Sequence, residues 1–463
     1  MFRRNTFKHS MNTKRKSEYL FVNDILQYES FTNEVNDKDL KELDSVAKKV
    51  KLKEKIDDLL CGEIVNKSEN QAALHANYRS NRTSNRDLNY LDEAEIKVKE
   101  FFKTICSFCE GKDFNSINII NLGIGGSFEG PKLLLESLNN PIVAENFSKP
   151  IKVNFDFITG SDPSEFDCKT KFLESENTFF IVSSKSFTTD ETIINLKKGF
   201  EWSGDKSKFI AITANPDEAD KYGIKNIVTF DKEVGGRYSI WSPITQFHLY
   251  GEKRCAFLSG GHQADIDIIE NQDYVGFVKR LSFKDILMHN KGRNVRAILS
   301  YIWHLRSLPS YLQQLEMESL GKHSNPNSNY KNTGQIIFGG YGPTAQHSYF
   351  QLLHQGTQNL CADIITTIED KKSLAFAQAI TQSELLAVGE SEIQLKNESK
   401  INGNVPVNLF LLNNFNAFNL GYLIATWEYR TFITAAILGI NPFDQFGVNA
   451  GKIYTKKYLS NND

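Results

Sequence analysis

The segment Ile117-Asn-Ile-Ile-Asn-Leu-Gly-Ile-Gly-Gly-Ser127 decides the fold. Its apolar first half reads as a buried strand, and the glycines after it read as a tight turn. Gly130-Pro-Lys-Leu-Leu-Leu-Glu-Ser-Leu138 then opens a helix. Working outward, the alternation continues. Lys97–Phe108 precedes the strand as a helix. Val153–Gly160 and Thr178–Ser184 are further strands, Ile194–Trp202 is a helix, and Lys208–Ala214 and Asn226–Phe230 are short apolar strands. Strands alternating with helices imply a parallel sheet wrapped on both faces.

A second region begins near Lys284. Arg296–Leu308, Gln346–Gln355 and Asn419–Leu438 read as helices around fewer strands, including Gln335–Gly340 and Ala362–Ile368. Upstream, Val22 to about Leu60 has the charged periodicity of helices, and residues 68–90 are rich in asparagine and arginine. The expected organisation is a basic, disordered tail over 1–20 and a helical N-terminal arm over 21–90. A first α/β domain over 91–250, a connection over 251–283 and a second α/β domain over 284–440 follow. The segment 441–463 completes the active site.

With 463 residues, 40% of them hydrophobic, 24% charged and a net charge of −2, the chain has the balance of a globular protein. Nothing in it calls for nucleic acid or a membrane surface. No run approaches the roughly 20 apolar residues of a membrane-spanning helix. Six scattered cysteines argue for a reducing cytoplasm rather than a disulfide scaffold. Cys106 and Cys109 form a lone C-x-x-C on the buried face of an amphipathic helix, with no second pair to complete a metal site.

Several short constellations carry chemistry. The glycine loop ending at Ser127 opens a helix, where backbone N–H groups and the helix terminus favour an anion. It lacks the third glycine of a dinucleotide fingerprint, which would stand at Phe128, and no Gly-Lys-Ser/Thr follows. Ser183-Ser-Lys-Ser-Phe-Thr-Thr-Asp-Glu191 places Ser184, Lys185, Ser186 and Thr189 after another strand, at the edge where open α/β sheets bind ligands. Helix capping by Thr189 or Ser186 is the plainer alternative. In Val234-Gly-Gly-Arg-Tyr-Ser-Ile-Trp241, Gly235 and Gly236 can project Arg237 into a cleft, where its planar fork suits an oxyanion.

In Tyr311-Leu-Gln-Gln-Leu-Glu-Met-Glu-Ser-Leu-Gly-Lys322, Gln314 and Glu318 share a helix face. A carboxylate held beside an amide suits proton abstraction. An exposed helix with a Glu318–Lys322 surface pair fits the same spacing. His347 stands at the start of the helical stretch after Gly339-Gly-Tyr-Gly-Pro-Thr-Ala-Gln346. Gln445 and Lys452 are seven apart in Asn441–Lys452 and share a face if that segment is helical.

In their order, these segments resemble the glucose-6-phosphate isomerase (phosphoglucose isomerase) family. The stretches that carry the resemblance are LGIGGSFEGP, SSKSFTTDET, VGGRYSIWSPI, YLQQLEMESLGK, AQHSYFQLLHQGT and INPFDQFGVNAGK, with SENQAALHANYR upstream. The resemblance implies two SIS-type (sugar isomerase) domains, each a parallel sheet flanked by helices. It implies reversible aldose–ketose isomerisation of glucose 6-phosphate and fructose 6-phosphate through an enediolate, in glycolysis and gluconeogenesis. It further implies a cytoplasmic homodimer without metal or cofactor. On this pattern Ser184, Lys185, Ser186 and Thr189 bind phosphate, and Ser127 and Gly236 line the site. Glu318 moves the proton between C1 and C2 and Arg237 faces the enediolate. His347 and Lys452 open the ring, and Gln314 and Gln445 touch the sugar. His347 would serve the partner subunit's site.

The chain departs from the family at neighbours of these groups. Leu320 stands where asparagine is usual, Asn449 where a glutamate is usual, and Gly-Gly-Tyr-Gly-Pro-Thr-Ala precedes Gln346-His347 in place of the common GEPGTNG. Ser186 replaces a threonine and keeps the hydroxyl. Two rival classes are weaker. A non-catalytic sugar-phosphate sensor has no need of Glu318, His347 and Lys452 together, and a nicotinamide dehydrogenase needs the glycine that Phe128 replaces.

Overall fold

The structure is a computed structural model that describes residues 19–31, 35–79, 90–112, 114–139, 151–390 and 397–461. Most of the basic tail and part of the asparagine- and arginine-rich stretch lie outside them. The arm is not helical from its start. Tyr19–Val22 (β1) and Leu26–Phe31 (β2) form an antiparallel hairpin, closed where Asn23 Oδ1 accepts from the N–H groups of Ile25 and Leu26. The alternation of β2, with Leu26 and Tyr28 buried, is strand-like, and the charged residues after it obscured that period. The helix Asp37–Lys49 follows, closed by a capping box between Asn36 and Asp39.

The first sheet has five parallel strands: Ser116–Leu122 (β3), Lys152–Ile158 (β4), Thr178–Ser183 (β5), Phe209–Thr213 (β6) and Asn226–Thr229 (β7). Their order is β4-β3-β5-β6-β7. The chain leaves β3 for one neighbour and later leaves β5 in the opposite direction. The carboxyl ends of β3 and β5 therefore flank the switch point, where open α/β sheets have their crevice.

The second sheet contains Val295–Ser300 (β8), Ile336–Tyr341 (β9), Leu360–Thr367 (β10) and Val407–Leu412 (β11). Its order is β1-β2-β11-β10-β8-β9, parallel from β11 to β9, with the hairpin added antiparallel at the β11 edge. Part of the stretch expected to be helical, Arg296–Leu308, is thus a strand. β8 is buried almost throughout, and in a short, fully buried run periodicity does not separate strand from helix.

The segment expected as a connection is two long helices, Gly251–Glu270 and Gln272–Asn290, divided at Asn271, whose side chain caps the second. The first lies against the helix Ala417–Leu438, which is buried over nearly its whole length. A Cβ on Gly421 would stand 2.0 Å from the Phe257 carbonyl oxygen, so only glycine allows this approach. The helix Leu308–Leu320 packs beside this central helix and against β9.

Candidate active site

The site is assembled where the first sheet switches direction. After β3 the chain makes a tight turn over Gly125–Ser127 before the helix Glu129–Leu138. A Cβ on Gly126 would lie 1.9 Å from the Gly236 carbonyl oxygen. Glycine there lets the loop touch, backbone to backbone, the segment that carries Arg237. Ser239 Oγ donates to the Gly126 carbonyl at 3.3 Å and fastens the two.

After β5 the hydroxyl-rich loop turns through Phe187, a buried residue at φ +54°. A bulky side chain in the left-handed region is uncommon, and such conformations cluster at ligand sites. Ser184 Oγ accepts from Phe187 N–H at 3.1 Å, and Ser186 Oγ accepts from Thr188 Oγ1 at 2.9 Å. Thr189 is the N-cap of the helix Asp190–Ser203, yet its side chain makes no capping bond. Its hydroxyl lies 3.3 Å from that of Ser184. Capping therefore does not account for Thr189, and the first-turn amides keep their affinity for an anion. Lys185 sits beside this loop, its pKa lowered by burial against the pull of Glu69 and Asp231.

Arg237 is almost fully buried and its guanidinium is clamped. Nε donates to Ser319 Oγ at 2.7 Å, Nη1 to Gln445 Oε1 at 3.0 Å, and Nη2 to the carbonyls of Pro442 and Asp444. Nη1 also stands 3.6 Å from Glu318 Oε2. Glu318 Oε2 accepts from Gln314 Nε2 at 3.1 Å, so the amide and carboxylate expected on one helix face do meet.

The surface pair between Glu318 and Lys322 does not form. Lys322 Nζ donates to the backbone carbonyl of Glu318 at 2.8 Å and pairs with Asp444 Oδ1 at 3.2 Å. The cation that faces the Glu318 carboxylate is Arg237.

These groups surround one cavity of about 670 Å³. Every candidate site residue lines it except His347: Ser127, Ser184, Lys185, Ser186, Thr189, Gly236, Arg237, Gln314, Glu318, Gln445 and Lys452. Gln445 precedes the helix Asn449–Ser460 that bears Lys452, so the two reach the cavity without sharing a helix face. His347 is exposed, in the turn between the short helices Gly342–Ala345 and Phe350–Gln355 rather than at the start of the second.

The two departures closest to the chemistry leave the wall unchanged. Leu320 is buried and Asn449 exposed, and neither lines the cavity. Sequence reasoning missed Ser319 and the carbonyls of Pro442 and Asp444, which hold Arg237. It also missed Asn66, Glu69 and Glu233, which line the cavity too. Glu69 stands in the quoted stretch Ser68–Arg79, which was the available signal.

Among the described residues no group of three or more His, Cys, Asp or Glu side chains is placed to hold a metal ion. Cys106 and Cys109 are free thiols of the helix Tyr90–Cys109, with pKa values raised chiefly by burial. The arrangement offers neutral and cationic donors for an anion, and in Glu318 a carboxylate faced by a guanidinium and an amide.

Fold and site define a two-sheet α/β protein with a cavity at the switch point, lined by hydroxyl, ammonium and guanidinium donors and by a candidate base, Glu318. A family profile described as phosphoglucose isomerase matches residues 30–463. The glucose-6-phosphate isomerase of Legionella pneumophila (strain Paris) is 34% identical over 446 residues, covering 92% of this chain and 88% of the relative. That of Shewanella frigidimarina is 34% identical over 468 residues, covering 91% and 84%. The crystal structure of a glucose-6-phosphate isomerase from Chlamydia trachomatis shares the fold, with a TM-score of 0.80 at 24% identity over 95% of this chain and 89% of that one. The chain belongs to the phosphoglucose isomerase family.

Proposed function

We propose that this cavity interconverts glucose 6-phosphate and fructose 6-phosphate, a step of glycolysis and gluconeogenesis, in the cytoplasm. One observation carries the reading. Residues as far apart in sequence as Ser127 and Lys452 converge on a single cavity that holds the hydroxyl-rich loop together with Glu318, Arg237 and Gln314. The phosphate docks on Ser184, Ser186 and Thr189, with Lys185 beside it. This remote binding holds the sugar in place for reaction. Lys452 and His347 move the protons that open the ring. Glu318 takes the C2 proton of the aldose and returns it to C1 of the enediolate. Arg237 faces the charge that develops on oxygen, and a donor fixed before reaction needs no reorganisation. Gln314 and Gln445 hold sugar hydroxyls. The six free cysteines agree with a reducing compartment.

His347 acts in the partner's site of a homodimer. Its exposure and its absence from this chain's own cavity support that role.

The decisive test adds fructose 6-phosphate to the purified protein and follows glucose 6-phosphate through a coupled dehydrogenase. Formation of glucose 6-phosphate, and the reverse reaction, are expected, and no turnover in either direction refutes the reading. Shared sites are tested by mixing. Glu318→Gln and His347→Ala, each inactive alone, should regain activity after unfolding and refolding together. Random pairing in a two-fold dimer gives about a quarter of native activity. If the mixture stays inactive, His347 does not serve the partner.

A further inference from the structure

We propose that Lys322 is a positioning residue for this reaction, holding Arg237 and Gln445 in register with Glu318 through a clasp with Asp444. The inference rests on the isomerase reading above. The helix Leu308–Leu320 ends at Gly321, and its last carbonyls need partners outside the helix. The carbonyl of Glu318 itself receives Lys322 Nζ at 2.8 Å. The same ammonium donates to the Asp444 carbonyl and lies 3.2 Å from Asp444 Oδ1. That carbonyl also accepts from Arg237 Nη2 at 3.0 Å, so one backbone oxygen joins the ammonium to the guanidinium. Asp444 precedes Gln445, whose Oε1 accepts from Arg237 Nη1. The second Asp444 oxygen accepts from Ser68 Oγ at 2.7 Å, which ties in the N-terminal wall.

Neither Lys322 nor Asp444 lines the cavity, and both border a separate cleft. Lys322 therefore acts through other residues. Its charge is held against resistance, because burial first and the neighbouring Arg237 second lower its pKa, while Asp444 opposes them. A cation kept beside another cation is a costly way merely to end a helix. Its distinctive effect is to lock the segment Pro442–Gln445, which supplies three of the acceptors for Arg237, to the turn that carries Glu318.

The test compares Lys322→Met, Asp444→Asn and the double variant with the native enzyme, at temperatures well below each melting point. Displacing an oriented group by about 1 Å costs up to about a hundredfold in rate, so each single variant should lose about tenfold to a hundredfold in kcat. KM should stay within about threefold, since the phosphate loop is untouched. The double variant should lose no more than the worse single, as expected for one shared clasp. A kcat for Lys322→Met within about threefold of native, a loss carried by KM, or a double loss equal to the product of the singles overturns the inference. If Lys322→Met does not fold, Lys322→Gln and Asp444→Asn decide in the same way. Native turnover beside an indifferent variant sinks only this inference, whereas no native turnover sinks the isomerase reading.

Discussion

Glu316 and Glu318 stand two residues apart on the helix Leu308–Leu320 and face different surroundings, which makes them a paired test of the site assignment. The Glu318 side chain is 27% exposed, lines the cavity and approaches Arg237 at 3.6 Å. Glu318→Gln keeps its shape and an acceptor for Gln314. The ion pair it removes is partly exposed, so stability should change by less than about 1 kcal/mol. A general base contributes about a hundredfold to ten-thousandfold, and kcat should fall by about a thousandfold, or about 4 kcal/mol of barrier.

Glu316 is 5% exposed, paired with Arg296 and accepting from Trp427 Nε1 at 2.6 Å. Breaking a buried ion pair costs about 3–5 kcal/mol. Arg296 still keeps Asp285 at 2.5 Å, so Glu316→Gln should fall near about 3 kcal/mol, the low end of that range. Its melting temperature should drop by several degrees while kcat stays near native. The two readouts are the coupled isomerase assay and a thermal melt on the same preparations. Turnover by Glu318→Gln within about tenfold of native, or a folded Glu316→Gln as inactive as Glu318→Gln, refutes the assignment of the base by helix face.

Gly126→Ala puts a Cβ 1.9 Å from the Gly236 oxygen and must part the two loops. Overpacking of this kind costs about 1–3 kcal/mol, and activity should fall with it, read by melting and assay. Gly276→Ala, on an exposed helix position with no atom within 4 Å of the new Cβ, is the control and should gain up to about 1 kcal/mol. His248 is fully buried, neither ring nitrogen has a partner, and its ring stacks on Phe157; burial depresses its pKa to about 3. The folded form therefore favours the neutral ring. Its contribution is fully present above the unfolded value near 6.5 and is lost progressively below it. Between pH 8 and pH 5 that loss is about 2 kcal/mol, and His248→Phe should flatten this part of the stability–pH curve measured by urea unfolding. Lys452 lies on an exposed helix, so Lys452→Met should leave the melting temperature unchanged. It should lower kcat by about a hundredfold if the residue transfers a proton.

The first sheet was legible because its strands are short apolar runs cut by glycine or hydroxyl turns. Ile117–Ser127 shows both the burial and the switch-point loop in eleven letters. The second sheet was less legible for a physical reason. β8 is buried on both faces, so Arg296–Ser300 has no polar alternation, and the helix-forming residues after it extended the wrong period. The hairpin β1–β2 failed differently. Four- and six-residue strands carry too few positions to outweigh the charged helix beginning at Asp37. The helix Gly251–Glu270 failed because its buried face mixes Arg254, Gly260, Gly261 and Asp265 with apolar residues, and Gln272–Asn290 because it buries residues around most of its circumference; each erases the amphipathic stripe.

In the site, side chains with distinctive chemistry announced themselves, and those that place them did not. Glu318, Arg237, Lys452 and the hydroxyl loop lie in short motifs whose residue types suit anion binding or proton transfer. The partners that orient them are of another kind. Arg237 is aimed by the carbonyls of Pro442 and Asp444, and Lys322 is turned from the Glu318 carboxylate by its carbonyl and by Asp444. A backbone carbonyl is chemically the same at every residue, so its selection depends wholly on where a distant loop returns. The Glu318–Lys322 pair looked plausible from spacing because spacing fixes only what a helix can bring together. The fold then offered Lys322 an acidic side chain on another segment and gave Glu318 a guanidinium instead. Local rules thus bound the possible partners of the base, and the tertiary return of Pro442–Gln445 chose among them.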